Sequence, residues 1–232
     1  MVDMAALKIA NAKRWAVAKP TRNFATVAKY LTDNVAKPQY LAVEKLTGVP
    51  WAIIAVIHER EASQRWDANL AQGDRYDQVS THEPKGRGPF KSWQDAALDA
   101  LTNCSPYAAR NRDWSIGGAL TLLEEYNGLG YAARGLPSPY LWSGTDQYKT
   151  GKFIADGRFD ATVIDQQLGC AGLLMAMMKI DPTITFTGVT LTPVAPKPAI
   201  PPLVPQPAKA SEWAQIIAAL SAIFIHRKGT TT

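Results

Sequence analysis

The sequence predicts a mainly α-helical fold with a small β-hairpin or loop lobe, followed by a proline-rich linker and a C-terminal helix. Three observations lead to this prediction. Apolar residues recur at helical spacing in several segments, residues 66–88 are polar and rich in turn formers, and seven prolines fall between Thr192 and Ala208. We therefore expect a helical domain over residues 1–185, a linker over 186–208 and an amphipathic or membrane-associating helix over 209–232.

The composition is that of an ordinary globular protein. The 232 residues are 47% hydrophobic and 19% charged, which is enough apolar material for one core with appendages. A net charge of +5 favours an anionic partner, for which nucleic acid, an anionic membrane surface and the bacterial cell wall all qualify. The basic residues are scattered and form no run with interleaved aromatics, so we do not expect nucleic-acid binding.

The two cysteines indicate neither a metal site nor a disulfide framework. Cys104 and Cys170 have no metal-ligand spacing, and we expect both to be buried thiols. A single bridge between them stays open as an alternative if the protein acts outside the cytoplasm. We expect no cofactor and no metal. Residues 1–18 carry basic side chains throughout and do not resemble a secretory signal peptide.

Four helices are predicted in the first third of the chain. The first three cover residues 4–18, 22–36 and 39–47, and their apolar spacing indicates that they build the core. The fourth begins near Pro50, since proline is well tolerated in the first turn of a helix. On a helical wheel its large apolar residues form one broad face, with Glu61 at the margin of that face and Glu59 nearly opposite.

This geometry predicts different environments for the two glutamates. A carboxyl at the margin of a buried face loses hydration, which raises its pKa and suits it to hold a proton near neutral pH. Glu61 is therefore the candidate general acid, and Glu59 is expected to stay ionised in water. The alternative is that Glu61 pairs with Arg60, Arg65 or another base in a structural ion pair.

The remaining segments complete the fold prediction. Loops and a small β-hairpin are expected over residues 66–88, as a cleft wall or as a mobile surface loop. Helices follow at 92–101, which Ser92 can cap, at 114–125 and at 161–180. The aromatic segment 137–148 has no period and suits sugar stacking or packing against the helices. Residues 213–225 are apolar at helical spacing but too short to span a bilayer comfortably.

Several of these stretches together resemble one family. Residues 57–63, 93–101, 125–131 and 138–144, with Gly73-Asp74 and Gly86-Arg87, look like the phage-related lysozyme family proteins of the lysozyme-like superfamily. The resemblance covers about residues 40–180. Arg60-Glu61 with a nearby serine is also similar to goose-type lysozymes and soluble lytic transglycosylases. The sequence departs from the family pattern at Ala62 and at His82-Glu83.

The resemblance implies a lysozyme-like fold and cleavage of the β-1,4 bond between N-acetylmuramic acid and N-acetylglucosamine. It implies that Glu61 is the catalytic acid and that a second carboxylate assists. Asp74 is our first choice for that carboxylate, with Glu125 and Asp156 as alternatives. The substrate contacts expected are the following: Ser63, Arg87, Glu125, Tyr126 and Asn127, with Tyr140 and Trp142 for sugar stacking.

The expected protein is thus an endolysin-like muramidase with peptidoglycan glycan strands as its partner. The alternatives are a lytic transglycosylase on the same bond and a non-catalytic glycan-binding or structural module. Residues 209–228 are expected to contact a membrane or a protein partner. We expect synthesis in the cytoplasm without a recognisable signal peptide and action at the bacterial cell wall.

Overall fold

A computed structural model describes residues 1–186, which are mainly helical. In this part of the chain there are eight α-helices, two short 3-10 helices at Ala108–Arg110 and Ala132–Arg134, and one antiparallel sheet of two strands. The helices are α1 Met4–Val17, α2 Ala25–Leu31, α3 Ala36–Thr47, α4 Trp51–Ala62, α5 Trp93–Asn103, α6 Ile116–Asn127, α7 Pro139–Trp142 and α8 Cys170–Ile180. The strands are β1 Lys152–Ala155 and β2 Arg158–Asp160.

Helix α4 lies at the centre of the core. All eight residues from Trp51 to His58 are buried, so this helix is enclosed on every side rather than along one stripe. Helices α3, α6 and α8 pack against it, and α1 packs against the outer side of α6. Helix α2 packs on α8 so closely that a Cβ on Gly172 would lie 2.1 Å from Phe24 Cζ.

Local sequence signals explain where several helices begin and end. Asp3 accepts hydrogen bonds from the first backbone N–H groups of α1, and Ser92 accepts one from Asp95, as predicted for α5. Gly48 ends α3 in the left-handed conformation that glycine adopts without strain. Pro50 then precedes α4, which begins one residue later.

Other element predictions were wrong in position or extent. Helix α2 stops at Leu31 because the Asp33 carboxylate accepts from the N–H groups of Val35 and Ala36 and so caps the start of α3. Helix α8 begins at Cys170 rather than at residue 161. The hairpin is formed by β1 and β2, whereas the 66–88 stretch contains only an isolated bridge between Ala68 and Arg75.

The structure bears on the predictions for the cysteines and, in part, on those for the C-terminal residues. Both cysteines are buried free thiols, which confirms the expectation from their spacing. Phe186 packs against Trp15 with ring centroids 6.2 Å apart, while the rest of the predicted linker and the C-terminal helix lie outside the described residues. Within residues 1–186 no single helix is long and apolar enough to cross a membrane, although α3 and α4, bent by 113°, meet the length and composition together.

Candidate active site

Glu61 lies in the last turn of α4, where the chain leaves the core. Ser63 and Gln64 follow with φ of 49° and 61°, and these left-handed residues turn the backbone sharply away from the helix. The loop then returns, and Gly73 lies against the helix end so closely that a Cβ there would be 2.6 Å from the Glu61 carbonyl oxygen. The end of α4 and the loop after it therefore meet directly at the acid.

The Glu61 carboxyl is largely enclosed by protein while the residue keeps partial exposure. The Tyr140 hydroxyl donates a hydrogen bond to Glu61 Oε1 at 2.8 Å. Burial raises the pKa of Glu61 to about 7, against the opposing effects of the Tyr140 hydrogen bond and the Arg60 charge. A carboxyl with this pKa is about half protonated at neutral pH, which is the requirement for a general acid.

Arg60 does not form an ion pair with Glu61. Its guanidinium lies 4.7 Å above the Tyr140 ring and pairs with Asp165, Nη2 to Oδ2 at 3.1 Å, with both side chains almost fully buried. Lys152 on β1 reaches the other Asp165 oxygen at 2.8 Å. We call Arg60, Asp165 and Lys152 the buried ion network.

Arg65, the other base considered as a partner of Glu61, is also engaged elsewhere. It donates to the Gly73 carbonyl at 2.8 Å, beside the point where the loop meets the helix end. Within residues 1–186, Glu61 therefore has no ion-pair partner, and the structural ion-pair interpretation does not describe this site.

The expectation for Glu59 was wrong. Glu59 is half-buried rather than free in water, and it accepts a hydrogen bond from the Gln64 amide at 2.7 Å. Burial raises its pKa, opposed by the Gln64 hydrogen bond and the Arg60 charge. The reason is that α4 is surrounded by other elements, so the side opposite its apolar face is partly covered as well.

The structure brings two of the predicted tyrosines to Glu61. Burial raises the pKa of both Tyr126 and Tyr140 well above the usual value, and the charge of Glu61 adds to each rise. Both hydroxyls therefore stay protonated as hydrogen-bond donors. Tyr126 donates to the Leu70 carbonyl at 2.9 Å, which ties α6 to the loop beside the acid.

The stacking role predicted for Tyr140 and Trp142 does not fit this structure. Tyr140 is 3% exposed and Trp142 is 0% exposed, because α7 buries both rings in the core. Neither ring is available to a sugar here, and Tyr140 contacts the acid instead.

Asp74 and Arg87, two further predicted site residues, hold the loop together. Asp74 accepts from the N–H groups of Thr81 and His82 and pairs with His82 Nδ1 at 2.6 Å. Desolvation raises its pKa, but the hydrogen bonds from His82 and Thr81 lower it more, so the carboxylate stays ionised. Arg87 pairs with Asp99, with Nε to Oδ2 at 2.8 Å, and so joins the loop to α5.

The other predicted residues form no hydrogen bond or ion pair with Glu61 in the described part of the chain. Ser63 is exposed at the C-terminal end of α4, and Asn127 is exposed at the end of α6. Glu125 is half-buried in the last turn of α6, where burial raises its pKa. Asp156 is exposed in the turn of the β-hairpin.

Sequence reasoning missed the buried ion network. Asp165 lies 105 positions from Arg60, and no local pattern links the two residues. The hairpin that supplies Lys152 did have a signal, since the dipeptide Asp156-Gly157 is a strong turn signature. Within the described residues there is no cluster of three or more His, Cys, Asp or Glu side chains that could hold a metal ion.

Comparisons with known proteins add no assignment. Neither a protein-family model, nor a curated protein, nor a solved structure matches this chain. The function must therefore be argued from the residues and their geometry.

Proposed function

We propose that this protein is a peptidoglycan muramidase that cleaves the β-1,4 bond between N-acetylmuramic acid and N-acetylglucosamine. One observation carries the proposal: a single carboxyl, Glu61, has its pKa raised to about 7 at a partly exposed helix end beside a polar loop. Such a group holds a proton at neutral pH and can pass it to a substrate. The net charge of +5 suits an anionic cell wall.

In the proposed reaction Glu61 protonates the glycosidic oxygen as the bond from that oxygen to the sugar carbon breaks. The sugar carbon becomes oxocarbenium-like, and water then adds its oxygen to that carbon and gives up one proton, which restores the protonated Glu61. The Tyr140 hydrogen bond favours the carboxylate that remains after the proton has left. Asp74 stays the predicted second carboxylate, oriented by its own hydrogen bonds to the loop.

A lytic transglycosylase is the second candidate. Within residues 1–186, burial, Tyr140 and Arg60 set the pKa of Glu61, and no second carboxylate contributes to it. The oxygens of Asp74 are already engaged by Thr81 and His82. A site with one acid suits a reaction in which a hydroxyl of the sugar itself replaces water and leaves an anhydro sugar.

The test compares wild type, Glu61→Gln and Glu59→Gln on purified peptidoglycan, with mass spectrometry of the released fragments. Loss of general acid catalysis costs about 10²- to 10⁴-fold, so we expect a drop of that size for Glu61→Gln. Glu59→Gln is the matched control, since Glu59 is on the same helix and also has a raised pKa, and it should keep most of the activity.

Each outcome of this assay tests one part of the proposed function. Equal activity of Glu61→Gln and wild type would remove Glu61 from the mechanism. Release of no sugar fragments by wild type would leave only the glycan-binding or structural interpretation. Reducing muramic ends indicate hydrolysis, and anhydro ends indicate the transglycosylase reaction.

A further inference from the structure

A groove runs between α1 and the segment 129–137, with a volume of about 750 Å³. This volume lies within the range of about 300–1,000 Å³ that is usual for small-molecule sites. Most of its lining is apolar, from the following residues: Ala6, Leu7, Ala10, Leu129, Ala132, Ala133, Leu136 and Pro137. Ala10 and Ala133 are exposed, so the groove is open to a ligand from outside.

The floor of the groove holds a buried carboxyl. Glu124 is 1% exposed and Asn11 is 2% exposed, and both line the groove. Asn11 Nδ2 donates to Glu124 Oε2 at 3.0 Å and to Thr121 Oγ1 at 3.3 Å. Within residues 1–186, Glu124 Oε1 accepts no hydrogen bond. The floor therefore presents an unused acceptor to the groove.

Within residues 1–186, no cationic side chain that lines the groove, Arg14 included, forms an ion pair with Glu124. Burial raises the pKa of Glu124, and the Asn11 hydrogen bond and the charge of Arg14 on the same side oppose that rise. Met1 lies at the rim, fully exposed. The Asp3 carboxylate is engaged by the N–H groups at the start of α1. A buried carboxylate in this position gains most from a cation brought by a ligand.

We propose that this groove binds an organic cation, a primary ammonium group on a short apolar chain, with the ammonium at Glu124 Oε1 and the chain along the apolar sides. The apolar sides match the chain, and the carboxyl matches the charge. Glu124 and Tyr126 are about 200° apart around α6, so the groove and the Glu61 site lie on different sides of that helix. The proposal is independent of the muramidase activity.

The test measures binding of n-pentylamine to the full chain by saturation-transfer NMR, with n-pentanol and pentanoate as matched probes of the same length. For a ligand of this size we expect a millimolar dissociation constant for the amine, because few atoms are available to offset the entropy lost on binding. Glu124→Gln should weaken amine binding about tenfold or more, because the amide keeps the shape but loses the charge.

Two further variants separate the groove from its surroundings. Glu125→Gln changes the neighbouring carboxyl, which does not line the groove, and should bind the amine as wild type does. Ala10→Trp fills the groove from the exposed side of α1 and leaves Glu124 and Asn11 in place, so it should abolish binding. If Glu124→Gln does not fold, as judged by circular dichroism, the loss or retention of amine binding in Ala10→Trp tests the proposal instead.

Three results would overturn the proposal. The first is absence of amine binding to wild type, and the second is binding of pentanol or pentanoate as tight as that of the amine. The third is unchanged amine binding in folded Glu124→Gln, or in Ala10→Trp.

Discussion

Glu61 and Glu124 are both buried carboxyls with raised pKa values, and they differ in the group that donates to them. Glu61 receives its hydrogen bond from a tyrosine hydroxyl, and Glu124 receives its own from the amide of Asn11. A hydroxyl can donate to a carboxylate and accept from a carboxylic acid, whereas an amide N–H only donates. Tyr140 can therefore serve Glu61 in both protonation states, while the Asn11 hydrogen bond only opposes the rise in the pKa of Glu124 that burial causes.

The supports beneath the two carboxyls also differ. Behind Glu61, Tyr140 packs on the buried ion network, which joins α4 to β1 and to the loop before α8. Glu124 lies where α1 packs on α6, beside segment 129–137. Burial raises the pKa of both carboxyls, but only Glu61 of the two has a hydrogen-bond partner that can both donate and accept, with the buried ion network packed behind that partner.

The largest effect on stability is expected where this support is broken. Asp165→Ala leaves the Arg60 guanidinium buried without its partner and should lower the free energy of unfolding by about 3–5 kcal/mol. Urea denaturation measures this change. Asp156→Ala, in the exposed hairpin turn, is the control and should stay within about 0.5 kcal/mol of wild type. A loss below about 1 kcal/mol for Asp165→Ala would show that the network is not a support.

The second prediction concerns Glu61 and pH. Since the pKa of Glu61 is about 7 in the folded protein and near the ordinary 4.5 when unfolded, folded protein holds its proton more tightly. The tighter binding of this proton stabilises the folded protein fully below pH 4.5, and this stabilisation is lost as the pH rises through 7. Glu61→Gln should therefore be more stable than wild type at pH 8, by about 3 kcal/mol at about 1.4 kcal/mol per pKa unit.

Urea denaturation at pH 8 and pH 4.5 checks this difference. The gain of Glu61→Gln should shrink at the lower pH, where the wild-type carboxyl is already neutral. A variant that is less stable than wild type at pH 8 would mean that Glu61 stabilises the fold. A loss of activity in Glu61→Gln would then report a weakened fold rather than a missing proton donor.

The third prediction addresses the other carboxyl. Asn11→Leu removes the donor of Glu124 at nearly constant volume and should cost about 1–3 kcal/mol. The cost should be larger at pH 8 than at pH 4.5, because the hydrogen bond favours the ionised form of Glu124 and lowers its pKa. Denaturation curves at both pH values test this, and an equal cost at the two would show that Glu124 does not change its protonation state between them.

The smallest effect is expected for Tyr140→Phe. The Tyr140 hydrogen bond lowers the pKa of Glu61, so its loss should raise that pKa and move the basic limb of the pH–activity profile to higher pH. Activity below pH 6 should stay within about tenfold of wild type. Tyr126→Phe is the matched control, because its hydroxyl donates to Leu70 and not to Glu61. An unmoved profile in Tyr140→Phe would contradict the role given to this hydroxyl.

The sequence allowed the helical fold and the position of Glu61 at the edge of the core to be predicted, because both depend on local patterns. Apolar spacing located α1, α3, α4, α5 and α6 to within a few residues. The same helical wheel set Glu61 at the margin of the buried face. The helical wheel gave the wrong environment for Glu59 because it assumes that only one side of a helix packs against the core. Other elements surround α4 on nearly every side.

The remaining parts of the site depend on contacts between distant segments. The partner of Arg60 is Asp165, and the donor to Glu61 is Tyr140, 79 positions later. Tyr140 was predicted from the resemblance as a sugar contact, since sequence shows that an aromatic ring is present but not whether it faces solvent. Burial of that ring by α7 follows from packing, which local patterns do not specify.

The close approach of Gly73 to the Glu61 carbonyl also bears on how this protein can vary. Gly73 has φ of +71°, and any Cβ there would meet the backbone of the acid at 2.6 Å. In a scan of all substitutions we expect Gly73 to be as intolerant as Glu61, although it carries no reactive group. Exposed positions further along the same loop, such as Val79, should accept change freely. The exposed positions of the loop can thus vary in sequence, while Gly73 is expected to be retained together with Glu61.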